Sequence, residues 1–436
     1  MSKNNLAALL LLSIFAGCIC QTKNVKGYWT FTTKYNTNTL NSVSYSYDSV
    51  DINVNYDTDK KKAGPTVPLQ FDLQFGSFFT GLMNSNDWGI YCGANSQPLN
   101  TTSNCMYTSQ EQFYYNGAQY TGNKATTLLP FDGVGNTNNQ IQGDVVTSPN
   151  QANNPTKDTG VLGLGINSQL VKYMLNQYNF QDYQLNGQNT FISSIQYYLN
   201  DDSGKFTGTA ADTWSYSTVT LGGYDSSRLD STQPVSTVNL KSGSTAWAIP
   251  AVTVSTQTTV LSAYDACISN ANNNAMFAMT ASDRATLIKG LCGNQQSQCS
   301  FSSVKEPGLS LKYTDSSNNQ VVINLILSDY AYADANGNLA LAVDDISTWN
   351  NKSACVGYKL GLGRLFLYKM MVYFQTPAQG TPSISVGSLL PVTQISNGER
   401  IALAFFSGTL LLIIIVASVI RLREDDTRMN GEYMKP

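Results

Sequence analysis

The sequence predicts an all-β protein with a few short helices, and three observations carry that expectation. Segments with a two-residue hydrophobic period recur along the chain, rich in β-branched and aromatic residues and separated by Asn, Gly and Ser turns. Charged residues make up only 13% of the 436, about half the roughly 25% of ordinary globular proteins. Asn, Gln, Ser and Thr supply the surface polarity instead, a composition that suits an exported β-rich chain better than a helical one.

In order, the predicted strands lie in YWTFTTKY (Tyr28–Tyr35), SVSYSYDSVDINVNY (Ser42–Tyr56) and VPLQFDLQF (Val67–Phe75). They continue in YSTVTLGG (Tyr216–Gly223), AWAIPAVTVS (Ala246–Ser255), QVVINLIL (Gln320–Leu327) and MMVYFQ (Met370–Gln375). Helical spacing appears in SQLVKYMLNQY (Ser168–Tyr178) and SDRATLIKGL (Ser282–Leu291), each opened by a serine N-cap. No solenoid-type repeat is present. A chain of this length forms two or three domains or one large bilobal unit.

Composition also excludes chemistry. There is no histidine, which removes Ser–His and Cys–His catalysis, histidine zinc sites and imidazole switching. A hydrolase here has to work with carboxylates. Net charge is −3 with no basic block, so nucleic acid is not an expected partner. No cofactor or metal site is expected.

The N-terminal MSKNNLAALLLLSIFAGCICQ reads as a signal peptide over residues 1–20, with Lys3 before a short apolar run. AGC at Ala16–Cys18 also resembles a lipoprotein cleavage site, which a second membrane anchor disfavours. Ile401–Ile420 is uncharged and mostly apolar, long enough to span a bilayer as a helix. Arg421 and Arg423 follow, which places the tail 421–436 in the cytoplasm. The expected organisation is an N-terminal β lobe 21–225, a C-terminal β lobe 226–392, a stalk 393–400, a transmembrane helix 401–420 and a cytoplasmic tail. This is a single-pass type I protein of the secretory pathway, at the plasma membrane or an endomembrane.

Cys92, Cys105, Cys267, Cys292, Cys299 and Cys355 remain once the leader is removed, and suggest three disulfides of open connectivity. Zinc is the alternative reading, but the mature region has no CxxC pair. Asn100 and Asn351 head glycosylation sequons and are expected on surface loops. Lys60–Lys62 reads as a solvated turn rather than a propeptide cleavage site.

PTKDTGVLGLGIN (Pro155–Asn167) contains Asp158-Thr159-Gly160, the tripeptide that carries the catalytic carboxylate of aspartic peptidases. A catalytic aspartate arrives on a buried apolar strand, whereas Asp158 follows the polar NNPTK, so it reads as a turn or cap residue. Other segments resemble the pepsin family in order along about 300 residues of the chain. FDLQFGSFFTGLMN (Phe71–Asn84) resembles its first active-site ψ-loop, and YYNGAQYTG (Tyr114–Gly122) its flap hairpin. DTGVLGLGINS resembles the family's DGILGLG segment, and FISSIQYYLN with STVTLGGYDSSRL the end of the first lobe. AWAIPAVTVS resembles the opening of the second lobe, with Trp247 in its usual place, and LGLGRLFLYKMMVYFQ (Leu360–Gln375) a late segment, with Gln375 for its final aspartate.

The resemblance implies a bilobal acid-protease fold with Gly76 and Asn270 at the two catalytic aspartate positions, the second register being uncertain by one residue either way. Ser77, Phe78, Asn272 and Asn273 would line the cleft and Tyr115 would be the flap tyrosine; Phe78 and Phe79 read as core or cleft-filling residues rather than a ligand platform. The family pattern also implies the pairs Cys92–Cys105 and Cys299–Cys355, leaving Cys267 with Cys292. Asp72, Asp87, Asp265 and Asp283 read as structural acids, Asp72 as an outward polar residue of an alternating strand.

Two carboxylates sharing one proton activate water in this family. Without them, the expectation is an inactive homologue whose cleft binds extended peptide or protein. The alternatives are an active endopeptidase with a non-standard dyad, such as Asp87 with Asp265, and a surface or sorting receptor that uses the fold as a scaffold.

Overall fold

The computed structural model describes residues 23–25, 28–40, 43–53, 66–74, 78–80, 106–115, 118–130, 140–147, 160–166, 168–185, 187–199, 214–256, 258–270, 275–292, 308–334, 336, 338–351 and 355–390. The chain is mostly β. Its first strands are β1 (Lys23–Val25), β2 (Trp29–Thr32), β3 (Lys34–Leu40), β4 (Val43–Asn53), β5 (Thr66–Asp72), β6 (Phe78–Thr80), β7 (Met106–Tyr115), β8 (Ala118–Pro130), β9 (Gln140–Thr147) and β10 (Gly160–Gly163). Helix α1 (Gln169–Gln177) leads to β11 (Tyr178–Phe180), β12 (Gln184–Leu185), β13 (Gln188–Leu199), β14 (Trp214–Leu221), β15 (Ser236–Asn239), β16 (Ala248–Ser255), β17 (Tyr264–Ile268) and β18 (Phe277–Met279).

After α2 (Ala281–Cys292) come β19 (Leu309–Thr314), β20 (Gln320–Leu325), α3 (Leu327–Tyr330), β21 (Ala331–Ala333), β22 (Leu339–Leu341) and β23 (Val343–Asp345). The described part closes with α4 (Ile346–Asn351), β24 (Leu360–Leu362), α5 (Arg364–Lys369), β25 (Met370–Pro377) and β26 (Ser383–Ser388). Every predicted strand segment contains a strand, because a two-residue period with one buried face fits no other regular structure.

Both predicted helices form. Ser168 caps α1, its Oγ accepting from Val171 N at 3.4 Å, and Leu170, Val171 and Met174 bury one face. The cap of α2 is not Ser282 but Thr280, whose Oγ1 accepts from Asp283 N at 3.1 Å and donates to the Asp283 carboxylate at 2.7 Å. Thr280 succeeds because it stands one residue before the first helical turn, where a side chain can reach the free N–H groups. The predicted sequon residue Asn351 closes α4 rather than lying in a loop; Asn100 lies outside the described residues.

Three large sheets carry the fold. The first runs β3-β4-β5-β10-β6-β9-β8-β7, the second β15-β26-β25-β13-β14-β2 with β12 beside β13, and the third β20-β19-β16-β17-β24-β18-β23. The first and third share a ψ-shaped arrangement. In the first, β10 lies parallel to β5 and antiparallel to β6. In the third, β24 lies parallel to β17 and antiparallel to β18.

Between the sheets, one continuous apolar core joins Phe71, Leu162, Trp247, Ile268, Leu362 and Phe374. Trp247 is 1% exposed, lies 5.1 Å from the Phe374 ring and donates its Nε1 to Leu164 O at 2.8 Å.

The described residues belong to one compact unit. The predicted signal peptide and membrane segment lie outside the described residues, among which no helix is long and apolar enough to cross a membrane.

The structure corrects the expected cysteine pairing. Cys267 is bonded to Cys355, with Cα atoms 5.6 Å apart, and not to Cys292. The parallel pairing of β17 with β24 explains it, since it sets Cys267 beside Gly361 and draws the residues just before β24 towards β17. The bridge sits in a small apolar cluster with Trp349 and Ile346. Cys292 is itself disulfide-bonded, while Cys92, Cys105 and Cys299 lie outside the described residues.

Candidate functional site

The two ψ arrangements match residue by residue. Leu162 on β10 stands opposite Phe71 and Phe78; Leu362 on β24 stands opposite Ile268 and Phe277. One strand further out, Phe78 faces Val145 just as Phe277 faces Val343. Each central strand therefore has the same neighbours in the same register, and the positions that follow are fixed by counting. Asp72 comes immediately after Phe71, and Ser269 immediately after Ile268. Asp72 is paired with Gly163, and Ser269 N donates to Leu362 O at 3.0 Å.

These registers set Asp72 against Ser269, and Leu73 against Asn270. Gly76, which the family resemblance sets against Asn270, lies three residues beyond Leu73 and outside the described residues. Asp72 is also not the outward residue expected from strand alternation: it is 5% exposed, and its Oδ1 accepts from Gln74 N at 2.8 Å. Phe71, Asp72 and Leu73 are all buried, so both faces of the end of β5 are covered and alternation leaves no outward side.

The loops after the two positions grip each other. Asn270, 3% exposed, accepts from Leu73 N at 2.9 Å through Oδ1 and donates through Nδ2 to Phe71 O at 2.7 Å. From the other side, the Gln74 carboxamide donates to Ile268 O and to Trp247 O, and accepts from Trp247 N at 3.3 Å. A buried carboxamide suits this role because it offers donor and acceptor together to two backbone groups that would otherwise be orphaned. The reciprocal bonds hold Asp72 and Ser269 at the junction of the first and third sheets.

Beneath the second loop lies Arg364, which sequence reasoning missed. It is 1% exposed, donates Nε to Asn270 O at 3.0 Å and rests over the Tyr197 ring at 5.4 Å. Gly363 before it has no room for a side chain, because an added Cβ would collide with the Ala275 carbonyl. The legible signal was a lone cation inside the apolar LGLGRLFL, which a buried helix start does not tolerate without partners.

The other predicted residues divide as follows. Phe78 opens β6, and Tyr115 ends β7 opposite Ala118 in the β7–β8 hairpin, at the tip predicted for the flap. Gly76, Ser77, Asn272, Asn273, Asp87 and Asp158 lie outside the described residues. Asp265 is not near Asp72's loop in role: it pairs with Lys241 at 2.6 Å and accepts from Ala251 N at 3.0 Å. Partial burial works to raise its pKa, but the Lys241 and Ala251 bonds outweigh that and hold the carboxyl below its ordinary range. Asp283 is spent on the Thr280 cap. Gln375 is buried and bonded to Ser383 and Ser385 at 2.7 and 3.2 Å, a structural use of its carboxamide.

Chemically, the paired positions present one carboxylate and one hydroxyl. Among the described residues no group of His, Cys, Asp and Glu is suited to a metal ion. No family model matches the chain, and no curated protein is similar to it in sequence.

Proposed function

We propose that this protein is a membrane-anchored, pepsin-like peptidase homologue that has lost one of two catalytic carboxylates and retains a cleft for extended peptide. The observation that carries the reading is the residue-by-residue match of the two ψ arrangements, which pairs Asp72 with Ser269. In pepsin-like enzymes both positions are aspartate, one ionised to accept a proton from water and the other protonated to polarise the scissile carbonyl. A serine hydroxyl donates a hydrogen bond but neither holds nor releases a proton between about pH 3 and 7. General acid–base assistance contributes about 10²–10⁴ in rate per group, so the loss of the second carboxylate removes useful turnover.

The grip of Asn270 and Gln74, the β7–β8 hairpin carrying Tyr115 and the burial of Asp72 support a junction kept in order without full chemistry. Extended peptide would be held there by main-chain hydrogen bonds and side-chain pockets.

The burial of Asp72 at one of the two positions favours a second reading, an enzyme that works with a single carboxylate. One experiment decides between them. The full-length protein in detergent is incubated with a diverse peptide library between about pH 3 and 7, with and without pepstatin, and cleavage is scored by mass spectrometry. No cleavage, together with peptides that co-purify intact, is expected. Cleavage that disappears in the Asp72→Asn variant would establish the enzyme.

A further inference from the structure

The second and third sheets end side by side without closing. β15 is the outer strand of one and β20 the outer strand of the other. They are tied at one end, where Ser236 Oγ and the Tyr313 hydroxyl lie 2.6 Å apart and Ser316 N donates to Thr237 O at 2.8 Å. Beyond that tie a slot of about 420 Å³ runs along consecutive residues of β20, with Met370 and Val386 on its far wall. Its size falls within the roughly 300–1,000 Å³ of ligand pockets.

The main chain of β20 is turned towards the slot's open side. The hairpin bond from Asp315 N to Asn319 O, 2.9 Å, sets the alternation of the β19–β20 ladder. Val321, Ile323 and Leu325 bond to β19, so Gln320, Val322 and Asn324 direct their N–H and C=O groups outwards. Among the described residues no backbone bond reaches those outward groups. The strand reads QVVINL, without the lysine, proline or acidic residue that ordinarily protects an edge, and Val322 is 43% exposed.

We propose that the β20 edge and its slot take up one extended peptide segment, added as a further strand of the third sheet. Its alternate side chains would enter the slot against Met370 and Val386, and the others would meet the Gln320 and Asn324 carboxamides. The slot holds no lysine or arginine, and its one acid, Asp315, already accepts from Ser317 N and Asn319 N at 2.9 and 2.8 Å. An acidic side chain finds no counter-ion there, and the one carboxylate already has its bonds made at the turn end of β20, so the segment is chiefly an alternation of apolar and uncharged polar residues. A second copy pairing through its own β20 is a poorer occupant. Its Ile323 and Leu325 are already buried in its own fold and could not enter the facing slot, which would stay empty.

The test pans full-length protein in detergent micelles against randomised dodecapeptides displayed on phage. Expected is enrichment of alternating apolar and polar sequences lacking proline and charge. Val322→Pro removes an outward donor without touching the β19 ladder, and Val322→Lys places a charge at the same point and serves if the proline variant does not fold. Either should weaken the recovered peptides at least about tenfold, the equivalent of one or two lost hydrogen bonds. Asp72→Asn should leave their binding unchanged, which separates this site from the ψ junction. The proposal is overturned by an absence of enrichment, or by peptides that bind the Val322→Lys variant as they bind the wild type. It also falls if peptide binding is lost with Asp72→Asn, or if the wild type sediments as a dimer that Val322→Lys dissociates.

Discussion

The two ψ arrangements share strand order, direction and register, yet their loops are built from different residues. The first carries Asp72, Leu73 and Gln74; the second carries Ser269 and Asn270 over a buried guanidinium. Backbone pairing is the same in both while the side chains differ. The difference shows where each loop gets its order. The second loop is fastened by its own asparagine and by Arg364; the first borrows Asn270 and reaches back with Gln74.

The sharpest way to break the comparison is at Arg364. Arg364→Met removes the donor to Asn270 O and leaves that carbonyl buried, with an expected loss of about 3 kcal/mol in denaturant unfolding. Next is the Cys267–Cys355 bridge, which spans a separation of 88 residues beside the second loop. Cys355→Ala, with Cys267→Ala to avoid a free thiol, is expected to cost about 2–5 kcal/mol by the same measurement.

Asn270→Leu makes the second loop resemble the first at the matched position. It orphans Leu73 N and Phe71 O, at about 1–3 kcal/mol for each group. Asn270→Asp keeps one of the two bonds and should lose less; equal losses from both variants would mean that the grip is not what orders the loops.

Ser269→Asp creates a carboxylate pair and sharpens the comparison through pH. Two adjacent carboxyls push one folded-state pKa up. The folded protein then binds more protons than the unfolded chain, so stability falls as pH rises from about 4 through the raised value. A penalty of about 1–3 kcal/mol at neutral pH, absent near pH 3, is expected in thermal melts of the variant against wild type. A pH-independent difference would place the two positions too far apart to interact.

The smallest effect is at Asp265, whose carboxyl the Lys241 and Ala251 bonds hold low despite partial burial. A depressed acid contributes stability above its unfolded pKa near 3.9 and loses it as pH falls through the lower folded value. The pair is substantially exposed, so Lys241→Met should cost no more than about 1 kcal/mol at neutral pH, and nothing measurable once Asp265 is protonated.

The sequence by itself determined seven of the strands, both long helices and the cap of α1, because period, β-branching and local capping are properties of neighbouring residues. It also marked the hairpin around Tyr115. Register was beyond it. Phe75-Gly76-Ser77 looks more like an active-site turn than Asp72-Leu73-Gln74 does, and only the pairing of β5 with β10 and of β17 with β24 shows which residues occupy equivalent places. The Cys267–Cys355 bridge, the burial of Asp72 and the seat of Arg364 under Asn270 follow from the same cause. Each joins residues far apart in the chain, and such contacts are fixed by how strands align across sheets rather than by what stands beside them in sequence.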